Sequence, residues 1–256
     1  MPAHQIDQFS CLSDNFGVLL HNDETGQTVA IDAPEAAAIN ARLASHGWQL
    51  THILVTHHHH DHVGGIAELK QQWNCAVHGP AAESGKISDL DHLIADGDQF
   101  TLAGFDVVAI ETPGHTAGQL SYHLPQIDVA FTGDTLFALG CGRLFEGTPA
   151  DMWRSMLKLR ALPPQTTIYC GHEYTLTNAR FAVSIDPDNS ALAQRMQEIQ
   201  AQRDAGEATL PTTLAAELTT NPFLRADDPV LKSAMGMNGA SDIEVFAAIR
   251  QGKDNF

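Results

Sequence analysis

Six of the fourteen histidines of this chain, His52, His57, His58, His59, His60 and His62, fall within eleven residues around the apolar run Ile53-Leu54-Val55-Thr56. An apolar run of this kind reads as a buried strand, and desolvating imidazoles without partners beside it is unfavourable. The strand must therefore end where the histidines find partners. In extended backbone alternate side chains share a face, so His57 and His59 can converge on one ion, with Asp61 two residues further on the same side. His62 follows in the turn and can share a second ion with Asp61. Spacing alone equally allows His58 and His60 as the converging pair.

The rest of the chain supplies a frame for such a strand end. Its 256 residues, 43 % hydrophobic and 18 % charged, suffice for one large domain or a domain with an appendage. FGVLLHN (16–22) and TVAID (28–32) read as a hairpin over a turn at Asp23 to Gly26, and 34–47 reads as a helix opened by Pro34 and closed by Gly47. A helix is expected from Ile66 to Trp73, and strands at 75–78, 105–111, 119–124, 128–132 and 166–170. Thr148-Pro149-Ala150-Asp151 offers a cap, a first-turn proline and an acid, opening a helix whose apolar stripe is Met152, Trp153, Met156, Leu157 and Leu159. After Glu173 helical patterns dominate (175–184, 189–205, 228–235, 241–250). This predicts an α/β domain over 1–173 and a helical region over 174–256.

Charge and cysteine usage narrow the class. A net charge of −17 repels nucleic acid and anionic membrane surfaces, so neither is expected as a partner. Cys11, Cys75, Cys141 and Cys170 are too widely spaced for a disulfide framework or a zinc ribbon. With no apolar run of membrane length and no leader-like start, a cytoplasmic protein is expected. Nothing in the sequence marks a subunit interface, and a monomer is the expectation.

The segment Thr56-His57-His58-His59-His60-Asp61-His62 resembles the THxHxDH signature of the metallo-β-lactamase superfamily. Three further segments are similar to its later motifs, in the same order: Thr112-Pro113-Gly114-His115-Thr116, Phe131-Thr132-Gly133-Asp134-Thr135 and Cys170-Gly171-His172-Glu173. The resemblance implies a four-layer αββα sandwich and breaks the tie among the histidines. By it, His57, His59 and His115 hold one divalent ion, Asp61, His62 and His172 a second, and Asp134 bridges both. Imidazole and carboxylate ligands suit zinc foremost, and iron or manganese as well. Two such ions can share a water whose pKa falls from about 15.7 towards about 7, giving a hydroxide that attacks a carbonyl or phosphoryl group. His58 and His60 are not assigned as ligands.

The superfamily alone leaves the substrate open. Gly140-Cys141-Gly142-Arg143-Leu144-Phe145, Gly171-His172-Glu173-Tyr174-Thr175, Asn221-Pro222-Phe223-Leu224-Arg225 and Arg250-Gln251-Gly252-Lys253-Asp254 resemble glyoxalase II, the hydroxyacylglutathione hydrolases. That resemblance implies hydrolysis of the thioester of S-D-lactoylglutathione, with residues 174–256 helping to bind glutathione. Arg143, Arg250 and Lys253 would hold its glycine carboxylate, and Tyr174 its backbone. Cations at these positions are sensible anchors for an anionic peptide in an acidic protein. Phe145 stands where many relatives carry tyrosine, and Gln119 where a histidine is common. Other superfamily hydrolases, a persulfide dioxygenase-like enzyme and a non-catalytic metal protein are the alternative readings.

Overall fold

A computed structural model describes residues 3–256. By packing, the chain forms two compact units. One contains the residues up to Glu111 together with Thr116–Gly133, and the other contains Thr112–His115 and Asp134–Phe256. This division follows packing, whereas the sequence-level division at residue 173 follows the change in element type.

In the first unit, one sheet has the order β1 (His4–Cys11), β2 (Asn15–Asn22), β3 (Gln27–Ile31), β4 (Leu50–Leu54), β5 (Ala76–Pro80), β6 (His92–Ile94). The expected hairpin is the antiparallel β2–β3 pair, closed at Asn22 and Gln27, and strands β3 to β6 run parallel. Helix α1 (Ala36–His46) crosses from β3 to β4, ending at Gly47 in the left-handed region, φ 70°. It begins two residues later than expected. The Ala33 N–H donates to His62 O at 2.8 Å and Ala33 O accepts from Gly65 N at 2.8 Å, so this backbone is committed to the loop after β4 before the helix can start. The single turn α2 (His60–Val63) and helix α3 (Ile66–Trp73) connect β4 to β5.

A second antiparallel run, β10 (Val129–Phe131), β9 (Leu120–Leu124), β8 (Phe105–Glu111), β7 (Gln99–Leu102), faces the first sheet. Leu20, Val29, Ile31 and Leu54 meet Phe105, Val107, Leu124 and Phe131 between them. On the opposite face, Ala30, Ile53 and Val77 join Ile39 and Leu43 of α1 and Ile66 and Leu69 of α3 in one buried cluster. Covering both faces explains why Val29-Ala30-Ile31 and Ile53-Leu54-Val55 are unbroken apolar runs, the mark of strand segments buried on two sides.

The second unit holds the two-residue strands β11 (Leu136–Phe137) and β12 (Gly140–Cys141), helix α4 (Pro149–Arg160), the short pair β13 (Thr167–Tyr169) and β14 (Thr212–Thr213), and helices α5 (Thr175–Ile185), α6 (Ser190–Asp204), α7 (Leu214–Thr220), α8 (Pro229–Ala234) and α9 (Asp242–Asp254). Thr148 and Asp151 form the expected capping box on α4, and Met152, Trp153, Met156 and Leu159 are buried while Leu157 is half-buried. The β11–β12 turn is tied down from the helices. Asn178 Nδ2 donates to Ala138 O at 3.1 Å, Glu217 accepts from Leu139 N at 2.8 Å, and Asn221 Nδ2 donates to Phe137 O and Gly140 O at 3.1 Å each. Among the described residues no helix is long and apolar enough to cross a membrane.

His52, His78 and His92 have no obvious partners in the sequence, but on β4, β5 and β6 they form a column, with ring centroids 5.5 and 4.4 Å apart. Burial, reinforced by the neighbouring imidazoles, pushes His78 down to about 4. Its folded pKa lies below the unfolded value of about 6.5, so the unfolded chain binds the extra proton and stability is lost as pH falls from about 6.5 to about 4. His78→Leu is expected to flatten the unfolding free energy against pH across that window relative to wild type, measured by urea denaturation at a series of pH values. A parallel pH dependence in the two proteins would contradict it.

Candidate metal centre

The first unit presents His57, His59, Asp61 and His62 at the carboxyl end of β4, where ligands gather in open parallel sheets. Backbone stays extended beyond β4, and His59, at φ −60° and ψ 143°, caps the one-turn helix that follows. Alternation therefore operates over three residues. His57 Nε2 and His59 Nδ1 approach to 3.1 Å, while His58 turns the other way onto Glu83 and His60 is exposed. Asp61 is placed differently from the expectation. The chain is helical from His60, so its position comes from the turn and not from strand alternation. There its Oδ2 lies 3.6 Å from His62 Nε2 and accepts from Asn15 Nδ2 at 2.9 Å.

Asp32, at the end of the expected 28–32 strand, fixes the protons of this cluster. It is buried, with φ 56°, a left-handed backbone that aspartate tolerates better than most side chains. Its carboxylate accepts from Thr56 N at 2.7 Å, from Thr56 Oγ1 at 2.8 Å and from His62 Nδ1 at 2.8 Å. Because Thr56 Oγ1 donates to Asp32, it accepts from His57 Nδ1 at 3.0 Å. This hydrogen-bond network assigns the Nδ1–H tautomer to both His57 and His62, which leaves each Nε2 with a lone pair for an ion. Thr56 is in turn hemmed in by Gly133, φ 47°, where any Cβ would come within 2.6 Å of Thr56 Oγ1.

The second unit gathers the other three expected ligands. Buried Asp134 places Oδ2 3.4 Å from His115 Nε2 and 3.2 Å from His172 Nε2. His115 Nδ1 donates to Arg143 O at 2.9 Å, which again directs Nε2 towards the carboxylate. The ring of His172 lies flat on Tyr174, centroids 4.7 Å apart with planes 2° from parallel. Gly142 is required beside this group, since a Cβ there would stand 1.9 Å from Asp134 O.

Both donor sets fit a divalent ion. With bonds of about 2.0–2.1 Å in tetrahedral array, neighbouring ligand atoms stand about 3.3–3.4 Å apart, close to the separations within each unit. All four cysteines are buried free thiols. Burial pushes Cys141 up to about 11 and Cys170 higher still, so neither supplies a thiolate nucleophile at neutral pH.

Arg143, Arg250 and Lys253 gather in the same unit around Asp254, a residue to which the motifs assign no role. Arg250 is 6 % exposed. It donates to Cys141 O at 2.7 Å and to Asp254 Oδ1 at 2.9 Å, and its guanidinium lies 5.2 Å from the Phe223 ring centroid. Arg143 Nε is 3.8 Å from the same Asp254 oxygen, with its side chain in solvent. Lys253 Nζ donates to Thr177 O at 3.3 Å. Burial, and then the charges of Arg250 and Arg143, lower the Lys253 pKa, as expected where cations are held close together. Phe145 is 62 % exposed, its ring 5.2 Å from that of His115, and Gln119 is buried with its Nε2 donating to Thr132 O at 3.0 Å.

Comparison with known proteins identifies the family. Residues 25–172 match the metallo-β-lactamase superfamily model, and residues 173–256 match the model of the hydroxyacylglutathione hydrolase C-terminus. A hydroxyacylglutathione hydrolase of Rhizobium meliloti is 54 % identical over 256 residues, covering 100 % of both chains. Among solved structures, ETHE1 from Myxococcus xanthus superposes with a TM-score of 0.67 at 24 % identity, over 96 % of each chain. TTHA1623, solved in a di-iron-bound form, superposes at 0.58 with 25 % identity, over 87 % of this chain and 99 % of that one. The fold is an α/β sandwich of the metallo-β-lactamase type with a C-terminal helical region, and the chain belongs to the hydroxyacylglutathione hydrolase family of that superfamily.

Proposed function

We propose that this chain hydrolyses S-D-lactoylglutathione and related 2-hydroxyacylglutathiones to the hydroxy acid and glutathione. The observation that carries this reading is the double engagement of Arg143. Its carbonyl orients His115, and its side chain faces the cation cluster of Arg250 and Lys253 around Asp254. A group that binds an anionic peptide and a group that orients a metal ligand thus share one residue.

His57, His59 and His115 would hold one ion, Asp61, His62 and His172 a second, and Asp134 both. Zinc is the metal proposed first for these donors, with iron or manganese suited to the same set. Two divalent ions supply Lewis acidity there, acidifying water and polarising the thioester carbonyl. The chain's own contribution is positional. Asp32 and the Arg143 carbonyl hold three imidazoles in the ligating tautomer, directly at His62 and His115 and through Thr56 at His57. Asp61 and Asp134 supply negative charge against the cations. Arg143, Arg250 and Lys253 receive the glycine carboxylate of the substrate, and Tyr174 contacts its backbone. In the net reaction a C–O bond from water replaces the C–S bond, and the thiolate that leaves takes a proton to become glutathione.

Residues 1–173 serve as the catalytic domain and 174–256 as the helical region that completes glutathione binding. A cytoplasmic monomer acting on a small molecule, with no nucleic-acid or membrane partner, accords with the acidic composition.

Stripping the protein with a chelator is expected to abolish thioester hydrolysis, and adding zinc, manganese or ferrous ion to restore it. Hydrolysis that survives complete metal removal would sink the dimetal reading. Replacing Arg250 and Lys253 together with alanine is expected to raise KM for the glutathione thioester about 10- to 100-fold while kcat changes far less, as loss of uniform binding contacts to a charged group should do. An unchanged KM in that variant would point to a substrate other than a glutathione thioester.

A further inference from the structure

Glu83 lies outside every motif that the sequence singled out. It ends a single 3-10 turn, Ala81–Glu83, that follows β5, and it is 2 % exposed. Burying a carboxylate is costly unless several donors compensate it. Here one oxygen, Oε2, accepts from the backbone N–H of His58 at 2.7 Å and lies 2.9 Å from His58 Nδ1. The other, Oε1, accepts from the Thr116 hydroxyl and from Gly118 N at 3.2 Å. The seat is shaped for it, because a Cβ on Gly118 would come within 2.8 Å of Glu83 Cγ and 2.7 Å of Ala82 Cβ.

What these two oxygens grip is specific. His58 N lies between the ligand candidates His57 and His59, and Thr116 directly follows His115 in the chain. We propose that Glu83 is a positioning residue of the metal centre, one carboxylate that pins both the 57–59 ligand loop and the segment leaving His115. The inference rests on the metal reading above. It also accounts for the carboxylate itself. A glutamine offers one accepting oxygen, so its NH2 must face either His58 N–H or Gly118 N–H, and one half of the clamp is lost. Outer partners of this kind typically change metal affinity 10- to 100-fold when removed.

Metal affinity, measured by competition with a chromophoric chelator, tests the proposal without reference to any substrate. In Glu83→Gln the zinc affinity is expected to fall about 10- to 100-fold, and the gap in melting temperature between metal-free and zinc-loaded protein to narrow. His58→Ala removes the ring but keeps the backbone N–H, and is expected to stay within about threefold of wild type. Wild-type affinity in Glu83→Gln, with metal-free and loaded melts lowered equally, would overturn the proposal by making Glu83 merely structural. A loss in His58→Ala equal to that in Glu83→Gln would overturn it too, by assigning the effect to the imidazole. If Glu83→Gln does not fold, Thr116→Val removes a single donor and is expected to weaken zinc binding about three- to tenfold, and unchanged binding there would count against the clamp. Failure of the wild-type protein to bind zinc would instead strike the metal reading on which the clamp rests.

Discussion

The carboxylate of Asp32 is the constraint on which the histidine cluster after β4 depends. A histidine ligates through a lone pair, and which ring nitrogen carries that lone pair is decided by the hydrogen bond at the other. Asp32 settles this for His62 directly and for His57 through Thr56 Oγ1. The rest of the surroundings follow from keeping that carboxylate in place. Its left-handed backbone bends the chain out of β3, the adjoining Ala33 is anchored to the loop after β4, and α1 starts only beyond that anchor. The parallel β3–β6 part of the sheet, with β3 and β4 covered on both faces, then holds the strand end that carries the imidazoles.

The sequence made some of this legible and hid the rest for physical reasons. Strong local patterns read well: the β2–β3 hairpin, α3, the capping box at Thr148 and Asp151, and helices α5, α6, α8 and α9 are written in adjacent residues. Strands β6, β7, β11, β12 and β14, of two to four residues each, are too short to show a period. Helix α7 lies close behind them in a threonine-rich stretch whose signal is equally weak. The histidine alternation was legible only as far as His59, where the backbone becomes helical and the period changes. Resemblance, not spacing, separated His57 and His59 from His58 and His60.

Supporting groups were the least legible. Asp32, Glu83 and Asn15 act on partners 24 to 46 positions away, and no local pattern announces such a bond. The available hint was modest: Asp32 is an acid closing an apolar strand two residues before Pro34. Asp254 was visible in the terminal Arg250-Gln251-Gly252-Lys253-Asp254 segment, yet its role among the cations needs the fold, because Arg143 comes to it from 111 positions away.

The loop that carries Arg143 has an evolutionary implication. Its backbone orients His115, Gly142 beside it admits no side chain, and the β11–β12 turn before it is tied to Asn178, Glu217 and Asn221. A lineage drifting towards a new substrate can thus alter this loop most readily at its exposed side chains, Arg143, Phe145 and Glu146, which leave the backbone bond to His115 in place. At the end of α9, Arg250 is buried and donates to Cys141 O of the same loop, so half-buried Lys253 and exposed Asp254 are the positions freer to change. Divergence of specificity in such a chain should accumulate at these exposed side chains, leaving the histidine and aspartate motifs recognisable long after the preferred substrate has changed.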